Sequence, residues 1–275
     1  MMDVKSKDLS FETMMVFATE MINLLRAKFP SSSIEDWQGY LVQRLSSMLQ
    51  SYHTFSRVLQ EDNDYITANT ILRMMADNLS ITKFIYVDYA GDMRLLRHYM
   101  FLMDGSLTFI KLTDSMEDVD NLIKEAREKS KEEVQYIKEQ ITKLLLYKDN
   151  RKDIDELINI DKRSCNWRFR DFSDRKGLRF QELYKTLEIA PNNIAYLIYI
   201  SQFAHGLGLY SLETVASIQN VPFLLEVRDM LLGLLINYIY GIFSEYICND
   251  DRLLKSLFTK LGRDELVCFW EISNK

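Results

Sequence analysis

The stretch IEDWQGYLVQRLSSMLQSYHTFSRVL, residues 34–59, decides the class of fold. Its apolar residues recur at spacings of three and four, which places their side chains on one face of an α-helix. The residues of this stripe are Ile34, Trp37, Leu41, Leu45, Met48, Tyr52, Phe55 and Leu59. Ser32 and Glu35 stand three apart in the pattern of a capping box, so we expect the helix to begin there.

Helical periodicity continues beyond this stretch. Apolar residues recur in the same way through 65–89 and 93–112. The chain has only nine glycines and three prolines in 275 residues, and so few turn-forming residues disfavour a many-stranded sheet. We therefore predict an all-α protein, a multi-helix bundle that forms a single domain over 1–275. Its core is expected at about 34–210, followed by C-terminal helices at 211–275.

The segment 116–147 differs from the others because charged residues dominate it. Several of its opposite charges lie four apart, the spacing that stabilises a solvated helix. These pairs are Asp120 with Lys124, Glu125 with Lys129 and Glu139 with Lys143. We predict a long charged outer helix. A projecting arm, or a seam with a second copy or a partner protein, is compatible with the same pattern.

Charge and cysteine content limit the classes of function. The formal charge of −6 provides no global basic field for nucleic acid, although a local basic patch could still bind it. The three cysteines, Cys165, Cys248 and Cys268, are odd in number and widely separated, which favours reduced thiols over a disulfide framework or a zinc site. The N-terminus lacks the apolar core of a signal peptide, so we expect a cytoplasmic protein.

One apolar stretch, Met230–Ser244, requires a test against membrane insertion. Asp229 and Glu245 bound it, and Asn237 interrupts it. A stretch of this length is shorter than the roughly 20 residues that a helix needs to cross a bilayer. We therefore expect a buried core helix and no membrane contact.

A first candidate site is a polar stripe on the helix expected at 65–89. Asn69, Arg73, Asp77 and Ser80 follow at spacings of four, four and three among apolar neighbours. Arg73 and Asp77 can pair directly, and a guanidinium offers a rigid fork for a carboxylate or a phosphate. The stripe is either a binding or catalytic surface or simply the wet face of the helix.

A second candidate site comprises Ser201 and His205, four residues apart at the end of the apolar segment 194–205. Such a segment belongs in the centre of a bundle, so its few polar groups need partners. His205 could act as an acid or base or bind phosphate, with a carboxylate such as Asp77 beside it. The alternative is a structural histidine that is satisfied by a carbonyl or a buried acid.

The third candidate is the segment 161–180, which has seven basic residues against three acids. Aromatic residues are interleaved with the cations, a composition that suits phosphate contact and base stacking. The candidate ligand-binding residues here are Arg163, Trp167, Arg168, Arg170, Arg175 and Lys176. In the alternative interpretation the aromatics fill the bundle while the arginines point to water.

Common enzyme signatures are absent from the sequence. It has no G-x-x-x-x-G-K-[ST] phosphate loop, no G-x-G-x-x-G, no H-E-x-x-H and no G-x-S-x-G. Only three histidines are available for metal or triad chemistry. We therefore expect neither a metal ion nor a cofactor.

Three short motifs resemble an uncharacterised family of bacterial all-helical proteins, classed as a domain of unknown function. They are ILRMMAD at 71–77, NWR at 166–168 with GLRF at 177–180, and YLIYISQFAHG at 196–206. The family has an Arg-x3-acid helix, a Trp-containing basic stretch and a Ser-x3-His helix, and a glutamate is more usual where Asp77 stands. Such proteins are distantly similar to HEPN domains, helical bundles of toxin–antitoxin and phage-defence systems that include many metal-independent ribonucleases.

The resemblance implies a protein that binds or processes RNA or a nucleotide. In that hypothesis Arg73, Asp77 and His205 form the catalytic group, with Asn69 and Ser201 beside them. The chain lacks the HEPN ribonuclease motif, in which four to six residues separate Arg from the following His; the nearest approach, Arg94-x3-His98, has the wrong spacing. The competing hypothesis is a non-catalytic protein–protein interaction module, in which the same Arg, Asp and His residues form a structural network.

Overall fold

The computed structural model of the chain describes residues 10–31, 33–116, 120–204, 221–248 and 250–261, with the backbone alone at 201–204, 254, 258 and 261. These residues are almost entirely helical, which confirms the predicted all-α class. The chain divides into two compact units, and each is described by itself. The first unit comprises Met1–Lys83 and Tyr184–Lys275, and the second comprises Phe84–Leu183. The single-domain organisation stays a prediction.

Six helices of the described residues lie within the first unit, and each of the longer ones buries an apolar face. They are α1 (Phe11–Lys28), α2 (Trp37–Gln60), α3 (Tyr65–Thr82), α9 (Pro191–Ala204), α10 (Val221–Ile247) and α11 (Asp251–Leu261). The predicted stripe of α2 is confirmed, because its residues from Leu41 to Leu59 are buried, while Ile34 and Trp37 remain partly exposed.

The predicted start of α2 is wrong. The helix begins at Trp37, and the carboxylate of Asp36 caps it by accepting the Gly39 N–H at 2.9 Å, while Ser32 of the predicted capping box lies outside the described residues. Only glycine fits at position 39, since a Cβ there would lie 1.7 Å from the carbonyl oxygen of Ser31. The preceding chain therefore lies directly against the first turn of α2.

The apolar helix α10 extends beyond the apolar run Met230–Ser244 at both ends. It extends over 27 residues, is long and apolar enough by composition to cross a membrane, and has a mean hydropathy of 1.4 in its most apolar window. It packs against α1 and α3 and buries residues along its length, including Leu224, Leu231, Leu235 and Ile239. This packing is that of a core helix, but the length argument against a membrane span no longer applies.

A π-helical segment, Lys83–Val87, follows α3, and the second unit begins at its second residue, Phe84. Its helices are α4 (Gly91–Asp114), α5 (Asn121–Lys143), α6 (Leu145–Asp149) and α7 (Arg151–Leu157), and α8 (Phe180–Lys185) contains the boundary between the units. Two short strands, β1 (Ile158–Asn159) and β2 (Ser164–Cys165), pair antiparallel with Ile158 opposite Cys165.

The long charged outer helix is α5, which packs antiparallel on α4. Two side-chain contacts fix the register: Ser106 Oγ donates to Glu133 at 3.3 Å, and Arg127 pairs with Asp114 at 2.9 Å. The helix is shorter than predicted, since Asp120 caps its start and the extended backbone of Leu144 ends it. It buries only Val134, Ile137 and Ile141, so one narrow face contacts the protein.

Candidate functional site

The polar stripe of α3 is covered by neighbouring helices. Asn69 and Ser80 are buried, and the side chains of Arg73 and Asp77 are only 11% and 27% exposed. The hydroxyl of Ser80 donates to the carbonyl of Ala76 at 2.8 Å. The stripe is therefore an internal polar surface and not the wet face of the helix, and its groups need partners inside the protein.

Arg73 and Asp77 are joined by a tyrosine that the sequence did not single out. Arg73 Nε donates to both carboxylate oxygens of Asp77, at 3.0 and 2.9 Å. The hydroxyl of Tyr184 on α8 donates to Asp77 Oδ1, and the Arg73 guanidinium lies 5.0 Å from the centre of the Tyr184 ring. Burial, reinforced by the charge of Asp77, raises the pKa of Tyr184 far above its usual range, so the phenol stays a neutral donor.

Asn69 is held in the same way by a tyrosine of α9. The hydroxyl of Tyr196 donates to Asn69 Oδ1 at 2.6 Å, and Asn69 Nδ2 donates to the carbonyl of Tyr65 at 2.7 Å. Burial raises the pKa of Tyr196 well above its ordinary value. The Tyr196 ring also packs edge-to-face on Phe223 of α10, 4.4 Å between centres. This contact ties α3, α9 and α10 together.

The path of the chain from α8 into α9 separates Ser201 from Arg73 and Asp77. Lys83 pairs with Glu188 at 3.3 Å. Along the chain, Glu188 lies between Tyr184, which contacts Asp77, and Tyr196, which contacts Asn69. Glu188 thus lies at the C-terminal end of α3, and too few residues follow it before Pro191 for α9 to start at the other end. The helix α9 is therefore antiparallel to α3.

The consequence for the predicted site follows from helix geometry. Ser201 lies about 8 Å further along α9 than Tyr196, in the direction of Tyr65, at 1.5 Å rise per residue. Asn69 is the residue that Tyr196 contacts, and from there Asp77 lies toward the C-terminal end of α3, away from Tyr65. The backbone therefore does not bring Ser201 to the Arg73–Asp77 pair. His205 lies outside the described residues, and its meeting with that pair stays a prediction.

Most arginines of the basic segment are paired with acids of the second unit. Arg170 contacts Glu182 at 2.6 Å and Asp174 at 3.6 Å. The remaining pairs are Arg163 with Asp114, and Arg175 with Asp153 and Glu156. Arg168 lies 5.0 Å from the centre of the Phe180 ring, and Lys176 is exposed. An anionic ligand would have to displace these carboxylates, most of which are surface partners of modest strength.

The central aromatic residues of the segment point inward. Trp167 is 5% exposed and packs edge-to-face on Phe84 and Phe101, while Phe169 is fully buried. Neither ring offers a free face on which a base could stack. This arrangement agrees with the interpretation in which the aromatics of the segment fill the bundle.

A fully buried arginine, Arg97 of α4, holds the segment in place. It donates to the carbonyls of Trp167 and Arg170 at 3.0 and 3.2 Å and to the Tyr89 hydroxyl at 3.2 Å. Its guanidinium also lies 4.1–4.2 Å from the ring centres of Phe84, Tyr89 and Phe169. Burial lowers the pKa of Arg97 to about 10, so it remains a cation at neutral pH.

The sequence offered a weak indication of two of these three missed residues. Tyr196 stands in an apolar helical segment, where a buried hydroxyl requires a partner, whereas Tyr184 lies among polar residues and gave no such indication. Arg97 lies between Leu96 and Met100 within a buried stripe of α4. The partners themselves are far away in sequence, so the pattern along one helix could not identify them.

Comparison with known proteins identifies no relative. No protein-family model, no curated protein and no solved structure matches this chain. The likeness to the bacterial family and to HEPN domains therefore stays a prediction that rests on the three short motifs.

The chemistry that the described site can perform is limited by its own contacts. Asp77 accepts three hydrogen bonds from Arg73 and Tyr184, which engage most of the acceptor sites of its carboxylate. Among the described residues, no group of three or more His, Cys, Asp or Glu side chains is arranged to hold a metal ion.

Proposed function

We propose that the protein is a non-catalytic protein–protein interaction module in which Asn69, Arg73 and Asp77 form a structural network. The observation that carries this proposal is the Asp77 carboxylate, which is bonded to Arg73 on its own helix and to Tyr184 on α8. Polar groups that bond to one another between packed helices in this way stabilise the helix packing.

The surface that we propose for the interaction is the end of the α4–α5 hairpin. Leu112, Met116 and Leu122 are 56%, 53% and 74% exposed there, although large apolar side chains are usually covered. The sequence from Leu112 to Leu122 contains four acids and no base. The partner that fits this end is therefore a protein with an apolar patch surrounded by basic residues.

The test uses Arg73→Gln and measures both stability and RNA binding. We expect this variant to lose about 1–3 kcal/mol in the free energy of unfolding, because the half-buried carboxylate of Asp77 loses its charged partner. The wild-type protein should not shift a short RNA in an electrophoretic assay at either 50 or 150 mM salt. Wild-type RNA binding that Arg73→Gln abolishes without loss of stability would contradict the proposal.

A second candidate function, RNA or nucleotide binding in a phage-defence or toxin–antitoxin setting, has support from the basic segment. Lys162, Lys176 and Arg179 are exposed among the seven cations of 161–180. Such cations contact phosphates, and the affinity they give falls steeply with salt. If this function is correct, Lys162→Ala and Lys176→Ala weaken RNA binding and each lowers its salt dependence. Both candidates are proposed for a cytoplasmic protein.

A further inference from the structure

A cleft in the second unit lies along the strand β1. Its volume is about 550 Å³, within the range of about 300–1,000 Å³ that is typical of ligand sites. We name it the β1 cleft. Its lining comes from Lys138 and Thr142 of α5, from Tyr147, Arg151 and Asp155 of α6 and α7, and from residues 158–161.

The strand β1 uses one of its two edges to pair with β2. The Asn166 N–H donates to the Leu157 carbonyl at 3.0 Å, which fixes the positions of the ladder that are hydrogen-bonded. Ile158 stands opposite Cys165 at a position without such a bond, because the Ile158 N–H donates to the carbonyl of Ile154 instead. Backbone groups of an antiparallel strand alternate between its edges, so the Ile158 carbonyl points away from β2.

The other edge of β1 presents one acceptor and one donor to the cleft. The Ile158 carbonyl is the acceptor, and the same alternation places the Ile160 N–H beside it as the donor. Among the residues that the structure describes, neither group has a hydrogen-bond partner. Ile158 and Ile160 both line the cleft and are partly exposed. Unpaired backbone groups at a strand edge form a template for pairing with another extended chain.

The charges that line the cleft are balanced, and two of them are unpaired. Arg151 lies 3.7 Å from Asp155, which also accepts the Tyr147 hydroxyl at 3.0 Å. Within the described part of the chain, Lys138 and Asp161 have no ion-pair partner. A complementary occupant therefore carries an acid for Lys138 and a base for Asp161. Because the lining has no net charge, it offers no attraction to the phosphates of a nucleic acid.

We propose that the β1 cleft binds an extended segment of another protein, which adds a strand to β1. The segment donates an N–H to the Ile158 carbonyl and accepts the Ile160 N–H, as in other cases of β-strand addition. A single extended chain enters a recess of this kind, whereas the β1 of a second copy would itself lie in a recess.

The β1 cleft is a different surface from the end of the α4–α5 hairpin. Thr142 lies about 30 Å along α5 from Leu122, at 1.5 Å rise per residue. The proposal therefore does not depend on the function assigned to the hairpin end, and variants at the two surfaces can be tested separately.

The test measures hydrogen exchange of the Ile160 amide in the full-length protein by ¹⁵N NMR. The probe is a peptide of about eight residues in which Val and Thr alternate around one Glu and one Lys, a composition that favours an extended chain. Saturating peptide should slow exchange of the Ile160 amide by at least about fivefold, because this amide gains an acceptor. The Ile158 amide, which already donates to Ile154, should exchange as before. A peptide N-methylated at each internal residue should bind at least about fivefold more weakly, since it has lost its donors.

Paired substitutions of exposed residues locate the peptide in the cleft. Thr142→Trp fills the cleft and should weaken the peptide by at least about tenfold, whereas Lys143→Trp, next to it but outside the lining, should leave the affinity within about twofold. Lys138→Gln should weaken the peptide by about fivefold, and Lys148→Gln, at an exposed lysine outside the lining, should have less than about a twofold effect.

The proposal is overturned if saturating peptide leaves exchange of the Ile160 amide unchanged, or if the N-methylated peptide binds as tightly as its parent. A short single-stranded RNA that slows the same exchange would also contradict it. Slowing that depends on the concentration of the protein alone would identify a second copy as the occupant and would likewise overturn it.

Discussion

At the scale of single residues, Arg97 shows how one buried cation can order a neighbouring segment. It joins three aromatic rings of the second unit and donates to the carbonyls of Trp167 and Arg170. These carbonyls lie in a part of the chain with little regular secondary structure, so backbone ladders do not satisfy them. Arg97 replaces those missing bonds.

Replacement of Arg97 by methionine should therefore lower the free energy of unfolding by about 2–4 kcal/mol, because the buried carbonyl of Trp167 and the partly buried carbonyl of Arg170 lose their donor. Urea denaturation measures this change. Arg163→Met, which breaks only a surface pair with Asp114, serves as the control and should change stability by less than about 1 kcal/mol. Equal effects of the two substitutions would contradict the role assigned to Arg97.

The residues of the predicted site show what a one-dimensional pattern can reveal. The spacing of Asn69, Arg73 and Asp77 correctly indicated that they share a face and that Arg73 pairs with Asp77. The pattern could not show whether that face meets water or another helix, because the answer depends on Tyr184 and Tyr196, more than a hundred residues away. Those contacts arise from tertiary packing.

At the scale of elements, α1 and α11 are joined by a carboxylate whose state depends on pH. Glu20 of α1 accepts hydrogen bonds from Lys260 and Ser256 of α11 at 2.6 Å. These bonds lower the pKa of Glu20 below its ordinary value, and the bond from Lys260 has the largest effect.

Acid should therefore weaken the α1–α11 contact. Because the folded-state pKa is lower than the unfolded one, the stabilisation is present above the unfolded pKa and is lost as the pH falls through the folded pKa. The variant Glu20→Gln should lose stability at pH 7 and show a shallower decline between pH 5 and pH 3 in thermal unfolding. A decline as steep as that of the wild type would show that Glu20 does not contribute.

The end of the α4–α5 hairpin yields a prediction about binding. Leu122→Glu should leave the free energy of unfolding within about 0.5 kcal/mol of the wild type, since the side chain is exposed. It should also abolish crosslinking to a partner protein, as measured by quantitative mass spectrometry. The control is Leu145→Glu, at a leucine of similar exposure on α6. A change in sedimentation of the purified protein with Leu122→Glu would identify a second copy as the occupant instead.

At the scale of the whole molecule, the sequence predicted the helical class and the outer charged helix because both depend on local periodicity. The length of α5 was less accurate. The helix ends at Lys143, where the backbone of Leu144 is extended, whereas the sequence predicted that it continues to residue 147. Helix ends depend on capping and packing that a periodic pattern does not contain.

The sequence predicts no bound metal, since it has no H-E-x-x-H motif and only three histidines. Incubation with EDTA should therefore leave the thermal midpoint within about 1 °C, because metal removal unfolds proteins whose folding depends on an ion. A fall of several degrees that zinc reverses would contradict this expectation.

The account depends most on the claim that Asp77 links helices of the first unit and does not serve a substrate. A double-mutant cycle of Asp77→Asn and Tyr184→Phe, measured by urea denaturation, tests it most directly. We predict that each substitution lowers the free energy of unfolding and that their coupling energy is about 1–2 kcal/mol. Additive effects, with Asp77→Asn as stable as the wild type, would contradict the structural network.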